Sequence, residues 1–144
     1  MQFWRLIHQR ELERPTNTGR LIPDAIPIIW QRKVPNPALL AQIEQGNMAL
    51  LYPGDSTGGT QANIEHCLII DATWQEAQKI YNQSAYLHSM PRISLEGYTS
   101  TYRLRRNQRG LCTAEAAAYV LIEEGNEQAG QTLLQRLQQW QEND

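Results

Sequence analysis

The run Ile70-Asp71-Ala72-Thr73-Trp74 closes an apolar stretch with a carboxylate, a hydroxyl and an indole. The residues just before it, Cys67-Leu68-Ile69-Ile70, are continuously apolar, as expected of a central parallel strand covered on both faces. Asp71 would end that strand and face a crevice, where a carboxylate can bind an ammonium group or accept a proton. Thr73 with Glu76 three residues on forms a capping box, so the plainer reading of Asp71 is that it helps to cap the following helix. Thr73 itself reads as a cap rather than a ligand. Trp74 reads either as core or as a wall for a planar ring.

Three further stretches carry chemistry. Arg14-Pro15-Thr16-Asn17-Thr18-Gly19-Arg20 gathers hydroxyls, an amide and a glycine at an expected helix start, where backbone N–H groups suit a carboxylate or a phosphate. Taken alone, a turn with a cap explains it as well. Arg103, Arg105, Arg106 and Arg109 place four arginines in seven residues, with Tyr102 beside them for stacking, a pattern that suits RNA phosphates and an unstacked base. A solvated loop with scattered ion pairs is the alternative. Leu51-Tyr52-Pro53-Gly54-Asp55 follows a strand and reads as the rim of a pocket or as plain turn chemistry.

The remaining reactive side chains point elsewhere. His8, His66 and His88 lack metal-ligand spacing, so no metal is expected. His8, at a strand end, could face the cleft. Cys67 reads as core. Cys112, before a helix start, could have a lowered pKa. The two cysteines are too few for a disulfide framework or a four-cysteine zinc site. The chain has no P-loop, no GxGxxG and no nucleophile elbow.

These residues need a scaffold. Strands are expected at residues 3–8, 28–30, 48–52, 67–70 and 93–95. Residues 11–19 and 55–63 read as loops, and 98–111 as a long arginine-rich connection. A short helix is expected over 20–25, stopped before Pro27. Asn36 and Pro37 start the next helix as cap and first residue, and Gly46 ends it. Thr113 opens a helix over 114–123, ended by Gly125. A last helix runs to about residue 141, with Leu133, Leu134, Leu137 and Trp140 on one face. Strands alternating with helices predict an α/β fold, a mostly parallel sheet with helices on both faces. Ligands of such sheets bind beyond the carboxyl ends of the strands, where three of these motifs would lie.

At 144 residues the chain fits one domain, residues 1–144. With 41% hydrophobic residues it can bury an ordinary core. Its net charge of −2 gives no global attraction to nucleic acid, so RNA binding would rest on a local basic patch. The N-terminus has no signal-peptide pattern, and no apolar run approaches the ~20 residues of a membrane span. The expectation is a soluble, cytoplasmic protein.

Taken together the motifs resemble one family. His8-Gln9-Arg10-Glu11, residues 14–20, Tyr52-Pro53-Gly54, Asp71-Ala72-Thr73-Trp74-Gln75-Glu76-Ala77, Tyr102-Arg103-Leu104-Arg105 and Thr113-Ala114-Glu115-Ala116 stand in the order seen in DTW-domain proteins. The likeness runs from about residue 3 to residue 121, and the family takes its name from the Asp-x-Thr-Trp motif. The resemblance implies a tRNA-uridine aminocarboxypropyltransferase. Such an enzyme transfers the 3-amino-3-carboxypropyl group of S-adenosylmethionine to N3 of a uridine in tRNA and releases methylthioadenosine. It also implies a SPOUT-like fold with a C-terminal trefoil knot. Many members carry a cysteine-rich segment ahead of the first motif, whereas this chain begins almost at that motif.

On this resemblance Asp71 is the expected base, or else the anchor of the cofactor ammonium. Asn17 and Thr18 would receive the methionine carboxylate, with Gly54 and Thr113 also at the cofactor. Tyr52, Trp74, Leu95, Leu111 and Ala116 would wall the adenine. Arg20, Tyr102, Arg103, Arg105, Arg106 and Arg109 would meet RNA. The partner would be tRNA, and the protein a monomer or a homodimer. Competing expectations are an S-adenosylmethionine-dependent RNA methyltransferase of SPOUT type and aminocarboxypropyl transfer to ribosomal RNA. A non-catalytic RNA-binding module and a generic small-molecule binder of the same fold class also remain open.

Overall fold

A computed structural model describes residues 1–52, 64–95, 97–98, 100 and 111–142. The chain divides into two compact units, Met1–Glu13 with Asp24–Ser94 and Arg14–Pro23 with Leu95–Asp144.

The first unit holds β1 (Gln2–Ile7), β2 (Ile26–Ile29), α1 (Pro37–Glu44), β3 (Met48–Leu51), β4 (His66–Asp71), α2 (Trp74–Gln83) and β5 (Arg92–Ile93). The strands lie in the order β2-β1-β4-β3-β5, and every neighbouring pair is parallel. This is the α/β architecture that alternating strands and helices predict. Side chains alternate across the sheet. Trp4, Leu6, Ile28, Met48, Leu50, Leu68 and Ile70 form one core with Leu39 of α1 and Ala77 and Ile80 of α2. Phe3, Ile7, Ala49, Cys67 and Ile69 face the other way and are buried too. Burial on both faces is why β4 reads as a continuous apolar run rather than an alternating one.

The connections decide where a site can lie. From β1 the chain moves outward to β2. From β4 it passes through α2 to β5, on the opposite side of the sheet. The carboxyl ends of the neighbouring strands β1 and β4 therefore meet at a topological switch point. His8 follows β1 and Asp71 ends β4, and the His8 N–H donates to the Asp71 carbonyl at 3.2 Å.

Capping follows the sequence closely. The Asn36 side chain accepts from the Leu39 N–H at the start of α1, with Pro37 as the first helical residue. Thr73 Oγ1 accepts from the Glu76 N–H at 3.2 Å, and Glu76 Oε1 accepts from the Thr73 N–H at 3.0 Å. Thr73 and Glu76 thus close a reciprocal capping box at the start of α2.

Other expectations are corrected. The helix expected over 20–25 is a single 3₁₀ turn, Gly19–Leu21. Pro23 disfavours a helical Ile22, whose ψ is 119°, so the turn cannot continue. The second strand begins at Ile26 rather than Ile28 and contains Pro27. It pairs with β1 alone, and the outermost position of a sheet tolerates a residue without an N–H. The fifth strand is Arg92–Ile93 instead of 93–95. Part of the expected loop over 11–19 is a 3₁₀ segment, Gln9–Glu13.

In the second unit α3 (Thr113–Glu123) packs on α4 (Glu127–Glu142). Ala114, Ala117, Ala118 and Val120 of α3 are buried, as are Leu133 and Leu137 of α4. At Gly130 the helices are so close that a Cβ would stand 2.6 Å from the Ala118 carbonyl oxygen and 2.5 Å from Ile122. Gly125, with φ of 91°, ends α3 in the left-handed conformation that glycine adopts freely. The cap of α3 is Cys112, and Thr113 is the first helical residue rather than the cap. The loop at 55–63 and the arginine-rich residues 103–109 lie outside the described residues, as does the path of 101–110 on which a C-terminal knot depends.

Candidate functional site

Asp71 is buried to 1% exposure. Alternation turns it to the sheet face opposite α1 and α2, the face of Cys67 and Ile69. Arg5 lies two residues before Ile7, the register partner of Asp71, and shares that face. Its Nε and Nη2 donate to Asp71 Oδ2 at 3.0 and 2.7 Å. A guanidinium that meets a carboxylate through two nitrogens is a strong, orienting contact. Sequence reasoning missed Arg5. The available signal was a lone cation between Trp4 and Leu6 in the otherwise apolar run from Phe3 to Ile7, since a buried charge requires a partner.

His8 reaches Asp71 through its backbone N–H, while its ring meets other groups. Its Nδ1 accepts from the Arg10 N–H at 3.1 Å, which leaves the proton of a neutral imidazole on Nε2. The same Nδ1 lies 3.6 Å from Glu76 Oε2, so a protonated ring has a carboxylate at hand. The ring stacks on Trp30 with centroids 6.2 Å apart.

Tyr52 and Trp74 come together, with ring centroids 5.7 Å apart. Both pack against the core that α1 and α2 cover, so they stand on the side of the sheet away from Asp71. Tyr52 also stacks on Tyr81, with centroids 4.3 Å apart and planes 17° from parallel. The Arg92 guanidinium lies over both rings and donates to the Tyr81 hydroxyl. Burial raises the Tyr52 phenol above its ordinary pKa, and Arg92 works against that shift. Tyr81 and Arg92 were not foreseen, because neither sits in a motif and α2 and β5 bring them together only in the fold.

The second unit carries the other expected contacts. Asn17 and Thr18 are buried. Thr18 Oγ1 accepts from the Ala114 N–H at 3.0 Å, 96 residues away in sequence, and so satisfies a first-turn donor of α3. The Asn17 N–H donates to the Arg14 carbonyl. Exposed Arg20 donates to the same carbonyl. Glu115, fully buried, accepts from the Cys112 N–H at 3.0 Å and from the Ser100 hydroxyl at 2.6 Å. Glu115 stands three residues after the cap, a legible spacing, but a cysteine cap is not.

Cys112 is corrected in sign. Burial pushes its thiol up to about 12, the Thr18 hydroxyl opposes this, and the Glu115 charge adds to it. It is a packed, protonated thiol and not a nucleophile at neutral pH. Leu95, Leu111, Thr113 and Ala116 are half-buried. Thr113 and Ala116 share one face of α3 by their spacing of three. Gly54, Tyr102, Arg103, Arg105, Arg106 and Arg109 lie outside the described residues.

Among the described residues no group of three or more His, Cys, Asp or Glu is placed to hold a metal ion. No described helix is long and apolar enough to cross a membrane. In comparison with known proteins, the family model of the DTW domain matches residues 1–143. No solved structure matches the chain.

Proposed function

Because the chain belongs to the DTW-domain family, whose membership implies a tRNA-modifying enzyme, we propose that it transfers the aminocarboxypropyl group of S-adenosylmethionine to N3 of a tRNA uridine. One observation carries the reading. The aspartate of the family's motif ends β4 at the switch point of a parallel sheet, buried and oriented by Arg5. On this reading the sheet is of the SPOUT-like kind, and the enzyme works in the cytoplasm.

The residues present suit S-adenosylmethionine. Half-buried Leu95, Leu111 and Ala116 offer the apolar contact that an adenine takes, and the Thr113 hydroxyl shares the face of Ala116. Thr18, by capping α3, fixes the start of the helix that carries Thr113 and Ala116. When bound, the cofactor supplies an activated aminocarboxypropyl carbon. The protein must align a uridine nitrogen with that carbon and remove the nitrogen's proton. Asp71 is the residue assigned to that proton, and a positioned base is worth roughly 10²–10⁴-fold. Arg5 holds its carboxylate in one orientation. The alternative task for Asp71 is to hold the cofactor ammonium.

Mass spectrometry after incubation with S-adenosylmethionine and unmodified tRNA tests the reaction. Methylthioadenosine together with an aminocarboxypropylated uridine is expected. S-adenosylhomocysteine with methylated RNA would overturn the transfer and leave an RNA methyltransferase. Asp71→Asn separates the two roles of the aspartate. Lost turnover with unchanged cofactor affinity is expected of the base, and collapsed affinity of the ammonium anchor.

A further inference from the structure

Three cations at the carboxyl ends of β1 and β2 have no part in the chemistry proposed above. Arg10 is two residues beyond His8, and its side chain is 76% exposed. Its Nη1 lies 4.0 Å from Glu76 Oε2, the outer limit of an ion pair, and that carboxylate is already engaged in capping α2. Arg32 and Lys33 are exposed two and three residues beyond Trp30. Neither forms an ion pair with a described residue. The Trp30 N–H donates to the Ile7 carbonyl at 2.9 Å, so the exits of the two strands are tied together. Trp30 is fixed at both ends, by the His8 ring and by its Nε1 bond to Ser84 Oγ at 2.9 Å. The end of β4, next to that of β1, carries the Asp71 carbonyl that accepts from the His8 N–H.

Arg32 and Lys33 in an anionic chain, without carboxylate partners among the described residues, fit a polyanion rather than a fold-stabilising network. The rigid indole–imidazole pair beside them suits a nucleotide better than an acidic peptide. We propose that Arg10, Arg32 and Lys33 bind phosphates of the RNA strand that delivers its uridine to the switch point. The proposal rests on the reading that RNA is the substrate.

Equilibrium binding of unmodified tRNA, measured between ~50 and ~200 mM salt, tests it. In R10Q/R32Q/K33Q affinity at the lower salt should fall at least about tenfold, and the slope of log affinity against log salt should shrink by about 2–3. Melting should not change, because the three side chains are exposed. K79Q/R136Q, which removes exposed cations from α2 and α4, should keep the wild-type slope. A wild-type slope in the triple variant, or an equal loss in the control, would overturn the proposal while leaving RNA as the substrate. Poly-glutamate binding that is lost in the triple variant while tRNA binding persists would overturn it in favour of an acidic protein partner. A wild-type protein that does not bind tRNA would overturn the RNA reading itself, and this proposal with it.

Discussion

A carboxylate with 1% exposure persists only with a partner, and Asp71 has Arg5. Arg5→Met should leave a buried charge uncompensated and cost about 3–5 kcal/mol of stability. Urea unfolding would measure this, and the Arg5→Met/Asp71→Asn double variant should be less damaged than the sum of the singles. Cys112 makes a second prediction at this scale. Its thiol is raised from 9.0 to about 12 in the fold, so the unfolded chain ionises first as pH rises. The contribution is intact below pH 9.0 and is lost from there up to about 12. Wild-type unfolding midpoints should therefore drop across that window more than those of Cys112→Ala, and iodoacetamide at neutral pH should label the folded thiol slowly. Asp71 was legible in the sequence because a polar residue ended an apolar run. Its partner was not, because Arg5 and Asp71 meet only through strand register, 66 residues apart.

Elements were legible where local chemistry decides them. The caps at Asn36 and Thr73 and the stop at Gly125 need only their near neighbours, and each stands as its spacing implies. Residues 20–25 failed because helical propensity ignored Pro23, and Pro27 hid a strand that only its outer place in the sheet permits. The crossing of α3 and α4 was also beyond the sequence. There Gly130→Ala should gain about 1 kcal/mol in helix propensity and lose more to overpacking, typically about 1–3 kcal/mol. A net loss in thermal or urea stability is expected, because the contacting atom is the Ala118 backbone oxygen and cannot rotate away. A more stable variant would mean that the helices separate freely.

At the scale of the whole molecule the two units are interleaved in sequence. Residues 14–23 sit inside the first unit's stretch of chain but belong with 95–144. A fragment ending at Ser94 keeps every described strand and loses the Ala114 N–H that Thr18 accepts. Amides of residues 14–23 should be protected from hydrogen exchange in the full chain and unprotected in the fragment. Protection that survived the cut would show that the segment folds on local contacts. No composition or periodicity announces such interleaving. The parallel sheet was readable from alternating strands and helices, but the strand order that brings β1 beside β4 was not.

The margins of the sheet have a consequence for how copies of this chain meet. An unpaired strand normally offers a ladder of donors and acceptors on which another chain can grow, the first step toward fibrils. Here β2 has Pro27 in place of one donor, and β5 is only two residues long. Among the described residues neither margin is a good template, so backbone-templated aggregation has little there to start from.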